Sequence, residues 1–176
     1  MKKVGYVLLA IIISFVGYGI YKEITFTPLD MKDFELLFPN YKGKIKVSYH
    51  KDFIGWSRGD LFELYIYDLD NANINPNYPK NVQSWEHTTL PNPLMPESLI
   101  TTKWLRCPLD SLIQVYYSPE LSWISDNNTD EGKMLKRALK DVTNYYCCIY
   151  VSEQEKYFML YSPSINKMYY IRQRGF

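Results

Sequence analysis

Acid–base chemistry in this chain depends on its two histidines, each of which stands within two residues of a carboxylate. His50 precedes Asp52 by one intervening residue, and His87 follows Glu86 directly. Residues two apart on a strand point to the same face, so His50 and Asp52 would form a polar site with Glu63 from a neighbouring strand. Neither pair has metalloprotease spacing, and the chain lacks a G-x-S-x-G elbow. Because these motifs are missing, no catalytic residue is assigned. The possible polar site makes an anchored envelope hydrolase the alternative function.

Metal and cofactor chemistry is not indicated by the cysteines. The chain has three, Cys107, Cys147 and Cys148, and together with two histidines they give no recognisable metal-ligand spacing. We predict no metal and no cofactor. The simplest interpretation is that all three are small buried hydrophobic residues, and a disulfide from Cys107 to Cys147 or Cys148 stays open.

A predicted turn carries residues that are typical of protein interfaces. Arg58-Gly59-Asp60 is the tripeptide that integrin ligands display on hairpin turns, and Trp56 stands at the tip of the same turn. Turn chemistry is the favoured explanation of the tripeptide itself, because Gly59 would supply a positive φ and Asp60 would bond nearby backbone. A tryptophan beside an arginine is nevertheless the pairing that dominates interface energetics. We therefore predict partner-binding residues at Trp56, Arg58 and Asp60.

A second candidate surface is the basic face of a helix predicted over residues 129–141. Lys133, Lys136, Arg137 and Lys140 fall within an arc of about 100°, opposite the apolar side of the helix. One interpretation is a solvated face. The other is contact with lipid phosphates or with an acidic partner.

Composition excludes two classes of protein. The 176 residues carry 20 Lys and Arg against 19 Asp and Glu, whereas nucleic-acid binders normally show a basic excess. The 17 tyrosines, with eight Phe and four Trp, make 16% of the chain aromatic. Disordered chains lack such residues, so a packed core is expected. The balance of charges, in turn, argues against a nucleic-acid partner.

The amino-terminal segment predicts a membrane anchor. Residues 4–21 carry no charge, and as a helix they would span roughly 27 Å, close to the thickness of the hydrocarbon core of a bilayer. Lys2 and Lys3 precede the segment, so residues 1–3 should stay in the cytoplasm. Residues 22–29 would then be a short stem and 30–176 a periplasmic or extracellular domain. Cleavage of the segment as a signal peptide after Gly19 is the alternative.

The rest of the chain predicts an α+β domain. Helices are predicted at residues 28–38, with Thr27 as N-cap and Pro28 at the first helical position, and from Asn128, where Glu131 would complete a capping box. Strands are predicted at 45–53 and 61–69 as a hairpin, and at 145–152, 157–162 and 167–173 as a three-stranded meander. Weaker signals fall at 84–90, 99–105 and 111–117, the last being either helix or strand. The expected fold is an N-terminal transmembrane helix followed by one small domain with an antiparallel sheet and two short helices.

This layout, a single anchor with a small exported domain, resembles that of small bacterial membrane-anchored immunity and accessory proteins. The resemblance is one of layout only and transfers no residues. It implies an exported domain that binds a partner protein without catalysis. Besides the hydrolase, a structural subunit of a membrane assembly is the remaining alternative.

Overall fold

The computed structural model describes residues 9, 11–18, 28–55, 60–79, 102–126, 129–152 and 154–175. The chain divides into two units, residues 1–30 and residues 31–176. In the first unit, residues 11–18 are helical and their large apolar side chains are exposed. Among the described residues, no helix combines the length and the apolar character that a membrane crossing requires.

The second unit contains a mixed helix-and-sheet fold whose six described strands form one antiparallel sheet in the order β1-β2-β6-β5-β4-β3. The strands are β1 (Ile45–Asp52), β2 (Leu61–Leu69), β3 (Leu105–Arg106), β4 (Tyr145–Ser152), β5 (Glu155–Ser162) and β6 (Lys167–Arg174). The predicted hairpin and the predicted meander are both confirmed, and β2 pairs with β6 to join them. The α+β prediction is thus confirmed for the domain, although β5 begins two residues earlier than expected.

Within the described part of this unit, three α-helices accompany the sheet, where two were predicted. They are α1 (Met31–Leu37), α2 (Ser111–Asp126) and α3 (Asp130–Ala138). The extra one, α2, begins at a capping aspartate, since Asp110 Oδ1 accepts a hydrogen bond from Ile113 N at 2.8 Å. Helix α3 is capped by Thr129, whose hydroxyl accepts from Gly132 N at 3.0 Å. The predicted cap at Asn128 is therefore wrong by one residue.

One face of the sheet packs against α2 and α3. Alternate residues of the central strands, such as Leu64, Phe158 and Ile171, meet Ile113 and Leu135 of the helices in one buried cluster. Burying this apolar face against a helical layer is what stabilises a sheet of this kind. The ion pair between Lys156 Nζ and Glu120 Oε1, 3.1 Å apart and largely buried, also joins β5 to α2. Helix α2 is therefore held firmly against the sheet.

The opposite face of the sheet is rich in tyrosine and is covered in part by α1. The ring of Phe34 meets that of Tyr67 at 5.2 Å between centroids, and the ring of Phe38 meets that of Tyr161 at 5.1 Å. Trp104 Nε1 donates to the carbonyl of Leu37 at 2.8 Å, which closes the end of the helix. Tyr65 and Tyr67 of β2 are buried on this face.

All three cysteines are free thiols and buried, as their simplest interpretation predicted. Cys107 N donates to Asn144 O at 3.0 Å, which places Cys107 opposite the residue before β4. At about 3.4 Å per residue, Cys147 and Cys148 are roughly 10 and 13 Å away along the strand. A disulfide requires Cα atoms within about 7 Å. The open alternative of a Cys107 disulfide is therefore wrong for this fold.

Several predictions fall outside the described residues. These are most of the segment at 4–21, residues 22–27 of the stem, the strand at 84–90 with Glu86 and His87, and Trp56 and Arg58 of the turn. Of the weak strand at 99–105, the structure describes residues 102–105, and only Leu105 lies in a strand.

Candidate functional site

The antiparallel register brings together a cluster of polar side chains on the tyrosine-rich face, which we call the Glu63 cluster. Its members are His50 of β1, Glu63 and Tyr65 of β2, and Arg172 of β6. His50 lies opposite Tyr65, and Glu63 lies opposite Arg172, so the four residues occupy adjacent positions on one face.

Both carboxylate oxygens of Glu63 are engaged within this cluster. Oε1 lies 3.1 Å from His50 Nε2 and accepts the hydroxyl of Tyr65 at 3.1 Å. Oε2 forms an ion pair with Arg172 Nε at 2.6 Å. The side chains of Glu63 and Arg172 are only 11% and 16% exposed. A buried carboxylate needs such partners, because an unpaired buried charge is costly.

The environment keeps Tyr65 in its neutral, donating form. Burial, followed by the charge of Glu63 and its hydrogen bond, raises the pKa of the Tyr65 hydroxyl well above its usual value of 10.0. The ring of His50 stacks on Tyr65 with centroids 4.1 Å apart, and its side chain is 43% exposed. The cluster therefore consists of a buried, satisfied carboxylate that holds one half-exposed imidazole in place.

Asp52 does not join His50 and Glu63, although it lies opposite Glu63 in the register. Its Oδ1 accepts the backbone N–H groups of Ile54 and Gly55, each at 3.0 Å. Aspartate commonly closes turns in this way. The predicted trio is thus reduced to a His50–Glu63 pair. Among the described residues, no group of three potential ligands is positioned to hold a metal ion.

The predicted turn contributes one described candidate, Asp60. It lies against Gly175 at the end of β6, where a Cβ atom on the glycine would collide with the Asp60 side chain. Gly175 adopts a φ of +90°, a conformation that favours glycine. Asp60 therefore packs against the carboxy-terminal end of the sheet, in keeping with the turn-chemistry interpretation of the tripeptide.

An aromatic surface flanks this turn, and we call it the Trp123 surface. Trp123 of α2 is 50% exposed. Its ring meets that of Phe62 at 5.2 Å, and Phe62 in turn meets Phe53 at 5.2 Å. Lys51 Nζ lies 4.9 Å from the centre of the Phe53 ring, within the range of a cation–π contact. The surface combines a rigidly supported tryptophan with a nearby cation.

Trp123 is not among the predicted site residues, because the pattern at residues 111–117 is compatible with both a helix and a strand. The signal that was available is the helical spacing of Ile113, Tyr117, Leu121 and Ile124, all of which are buried. Extending that spacing to Asp126 places Trp123 away from the buried stripe. An unburied tryptophan on an amphipathic helix is an indication of an interaction surface.

The four predicted basic residues are all exposed, but two of them are paired, and Lys140 follows the C-terminal end of α3. Lys133 Nζ lies 3.6 Å from Asp130 Oδ1, and Lys136 Nζ lies 3.1 Å from Asp126 Oδ1. The side chains of Arg137 and Lys140 have no hydrogen-bond or ion-pair partner among the described residues. The uncompensated positive charge is therefore smaller than the sequence suggested and is centred on these two residues.

Comparison with known proteins finds no match to a protein family, to a curated protein or to a solved structure.

Proposed function

We propose that this protein is a single-pass membrane-anchored binding module whose exported domain binds a partner protein through the Trp123 surface and the adjoining β1–β2 turn. The observation that carries the proposal is the support of a half-exposed tryptophan by a buried ring, that of Phe62. Tryptophan and arginine are the residues that most often contribute the binding energy of an interface. A ring that is already held in position loses little conformational entropy when a partner covers it.

The location of this surface adds to the argument. The partly buried Phe53 and Ile54 lie at the end of β1, immediately before the turn that carries Trp56 and Arg58 in the sequence. A partner that covers Trp123 therefore has the aromatic flank of the turn within reach. The Glu63 cluster, in contrast, has its carboxylate engaged by His50, Tyr65 and Arg172, so that it joins β1, β2 and β6.

Membrane anchoring through residues 4–21 is the second part of the proposal. It is supported by eighteen consecutive uncharged residues that follow Lys2 and Lys3. Alkaline carbonate extraction of native membranes combined with intact mass measurement tests it. An intact mass of 20.9 kDa in the extracted membrane pellet is expected. A shorter chain in the soluble fraction would indicate cleavage after Gly19 instead.

The binding proposal is tested by quantitative co-purification from detergent-solubilised native membranes with Trp123→Ala as bait. Recovery of a stoichiometric partner should fall by about thirtyfold or more, as expected for an interface hot spot. Val115→Ala is the matched control, because Val115 is 70% exposed on the same helix. Thermal unfolding of both variants should confirm that each is folded. Equal recovery with the two variants, or no stoichiometric partner for the wild type under crosslinking, would contradict the proposal.

A second candidate function is hydrolysis of an envelope polymer, and the 3.1 Å contact of His50 with Glu63 favours it. A carboxylate that orients an imidazole is one half of a general-base arrangement. The test is the release of soluble fragments from purified envelope polymer by the wild type and by His50→Ala. Activity that is abolished by this substitution would support hydrolysis, whereas the absence of activity in the wild type would exclude it for that polymer.

A further inference from the structure

A groove runs between α2 and α3, with a cavity volume of about 250 Å³. Its α2 rim consists of Ser118, Ser122 and Ser125, which fall on one side of the helix because they are spaced by four and three residues. The hydroxyl of Ser125 donates to Ser122 O at 3.1 Å. The hydroxyls of Ser118 and Ser122 have no partner among the described residues. This rim can therefore both donate hydrogen bonds to a ligand and accept them.

The α3 rim of the groove is cationic. Lys136 and Lys140 line it, one helical turn apart, and both are exposed. Lys136 Nζ lies 3.1 Å from Asp126 Oδ1, while the side chain of Lys140, which follows the C-terminal end of α3, has no partner among the described residues. Arg137 is also exposed and lies next to Lys136 on α3. The charge of this rim is thus only partly compensated within the domain.

The floor of the groove is apolar. Leu121 of α2 is buried, and Leu109 and Leu139 are half-buried against the same core. A groove with an apolar floor, a hydroxyl rim and a cationic rim matches a segment that presents an aliphatic side chain between carboxylates. Two-helix grooves commonly bind short peptide segments in this way.

We infer that the α2–α3 groove is a binding site for an acidic peptide segment of a protein partner. Charge complementarity carries this choice of occupant. The residues from Lys22 onward carry 18 basic and 19 acidic side chains, so the exported part has no overall attraction for an anionic bilayer. A local cationic rim above an apolar floor suits a local acidic segment better than an extended lipid surface.

This site is separate from the Trp123 surface and goes beyond the proposed function. At 100° per residue, Trp123 lies about 160° around α2 from Ser125. A peptide in the groove would therefore not cover the tryptophan. If binding at one of the two sites is not observed, the proposal for the other site is therefore not affected.

The test uses the full chain in neutral detergent and a fluorescein-labelled pentapeptide with a leucine between two pairs of glutamates. Fluorescence anisotropy should show saturable binding of this peptide and none of its glutamine counterpart. Lys140→Glu should weaken binding about tenfold, because it replaces an attraction with a repulsion at the rim. Ser118→Phe, which fills the groove without changing its charge, should have a comparable effect.

Two further variants make the result independent of folding defects. Asp126→Asn releases Lys136 from its ion pair, so peptide binding should tighten about two- to threefold. Lys133→Glu, on the same helix but outside the groove, should leave binding within about twofold, and so should Trp123→Ala.

The inference is overturned if the wild type shows no saturable binding of the glutamate peptide. It is also overturned if Lys140→Glu and Lys133→Glu behave alike. Binding to phosphatidylglycerol vesicles that depends on Lys140, without binding of the peptide, would overturn it in favour of a lipid ligand.

Discussion

Replacement of Glu63 by glutamine tests the Glu63 cluster as a structural clamp. Glutamine keeps the volume of the side chain and can still accept from Tyr65, but it removes the charge that faces Arg172. Since the Glu63 and Arg172 side chains are 11% and 16% exposed, the largely buried arginine would lose the charge of Glu63 beside it. Removing one partner of a buried ion pair costs about 3–5 kcal/mol. Because the amide retains part of the hydrogen bonding, we expect a loss of about 3 kcal/mol in the free energy of unfolding.

The assay is urea unfolding of the full chain in neutral detergent, followed by intrinsic fluorescence at pH 7. In a thermal scan of the same samples, a loss of this size should lower the unfolding midpoint by about 6–12 °C for a domain of this length. Glu35→Gln is the matched control, because Glu35 is exposed on α1, and it should change stability by less than about 0.5 kcal/mol.

A double variant separates the cost of an unpaired charge from the worth of the pair. Glu63→Leu combined with Arg172→Leu removes both charges, so it should recover more than half of the stability that Glu63→Leu loses alone. His50→Ala should cost less than about 1 kcal/mol, because its side chain is 43% exposed. If Glu63→Gln lost less than about 1 kcal/mol, or if the two leucine substitutions were additive, the clamp would be refuted.

Two further predictions follow from close packing and from burial. Gly43→Ala should lower the free energy of unfolding by about 1–3 kcal/mol, because a Cβ atom there would lie 2.6 Å from the backbone oxygen of Asp70. The exposed Lys42→Ala serves as control in the same urea assay, and equal effects would contradict the packing argument. Burial, followed by the charge of Asp141, raises the pKa of the Cys107 thiol from 9.0 to about 12. The stabilisation by the neutral thiol is therefore complete below pH 9 and is lost as the pH rises through 12, so Cys107→Ala should show a shallower fall in urea midpoint between pH 9 and 11 than the wild type. Parallel pH profiles would refute this.

The elements with strong local signals were predicted well. The strands at 61–69 and 145–152 match the observed bounds, because alternating or continuous apolar residues between turn residues specify an extended strand locally. Helix α3 was predicted from its apolar spacing and differs only in its cap. In contrast, α2 contains Pro119 and several β-branched and aromatic residues, which weaken its local helical preference. The segment is nevertheless helical, because Asp110 caps it and because its apolar side packs on the sheet.

The candidate sites show the same difference between features that neighbouring residues specify and features that depend on long-range contacts. His50 and Glu63 were expected in one polar site with Asp52, because they lie on neighbouring strands of the predicted hairpin. Arg172 was not part of that expectation, since it comes from β6, more than a hundred residues later in the chain. The ion pair of Lys136 was also not predicted, because it depends on Asp126, which belongs to another helix.

The sequence by itself determined the uncharged amino-terminal segment, the neutral charge balance and most of the strands, because each of these is a property of neighbouring residues. Only the tertiary structure decided that hairpin and meander form one sheet, that both faces of β2 are buried and that Trp123 stays exposed. These outcomes depend on long-range pairing, in which the register between distant strands sets which side chains meet. Local preference is the same for a tryptophan that ends in the core and for one that ends on the surface. The solvent exposure of Trp123 is determined only when α2 packs on the sheet and the Trp123 ring contacts Phe62.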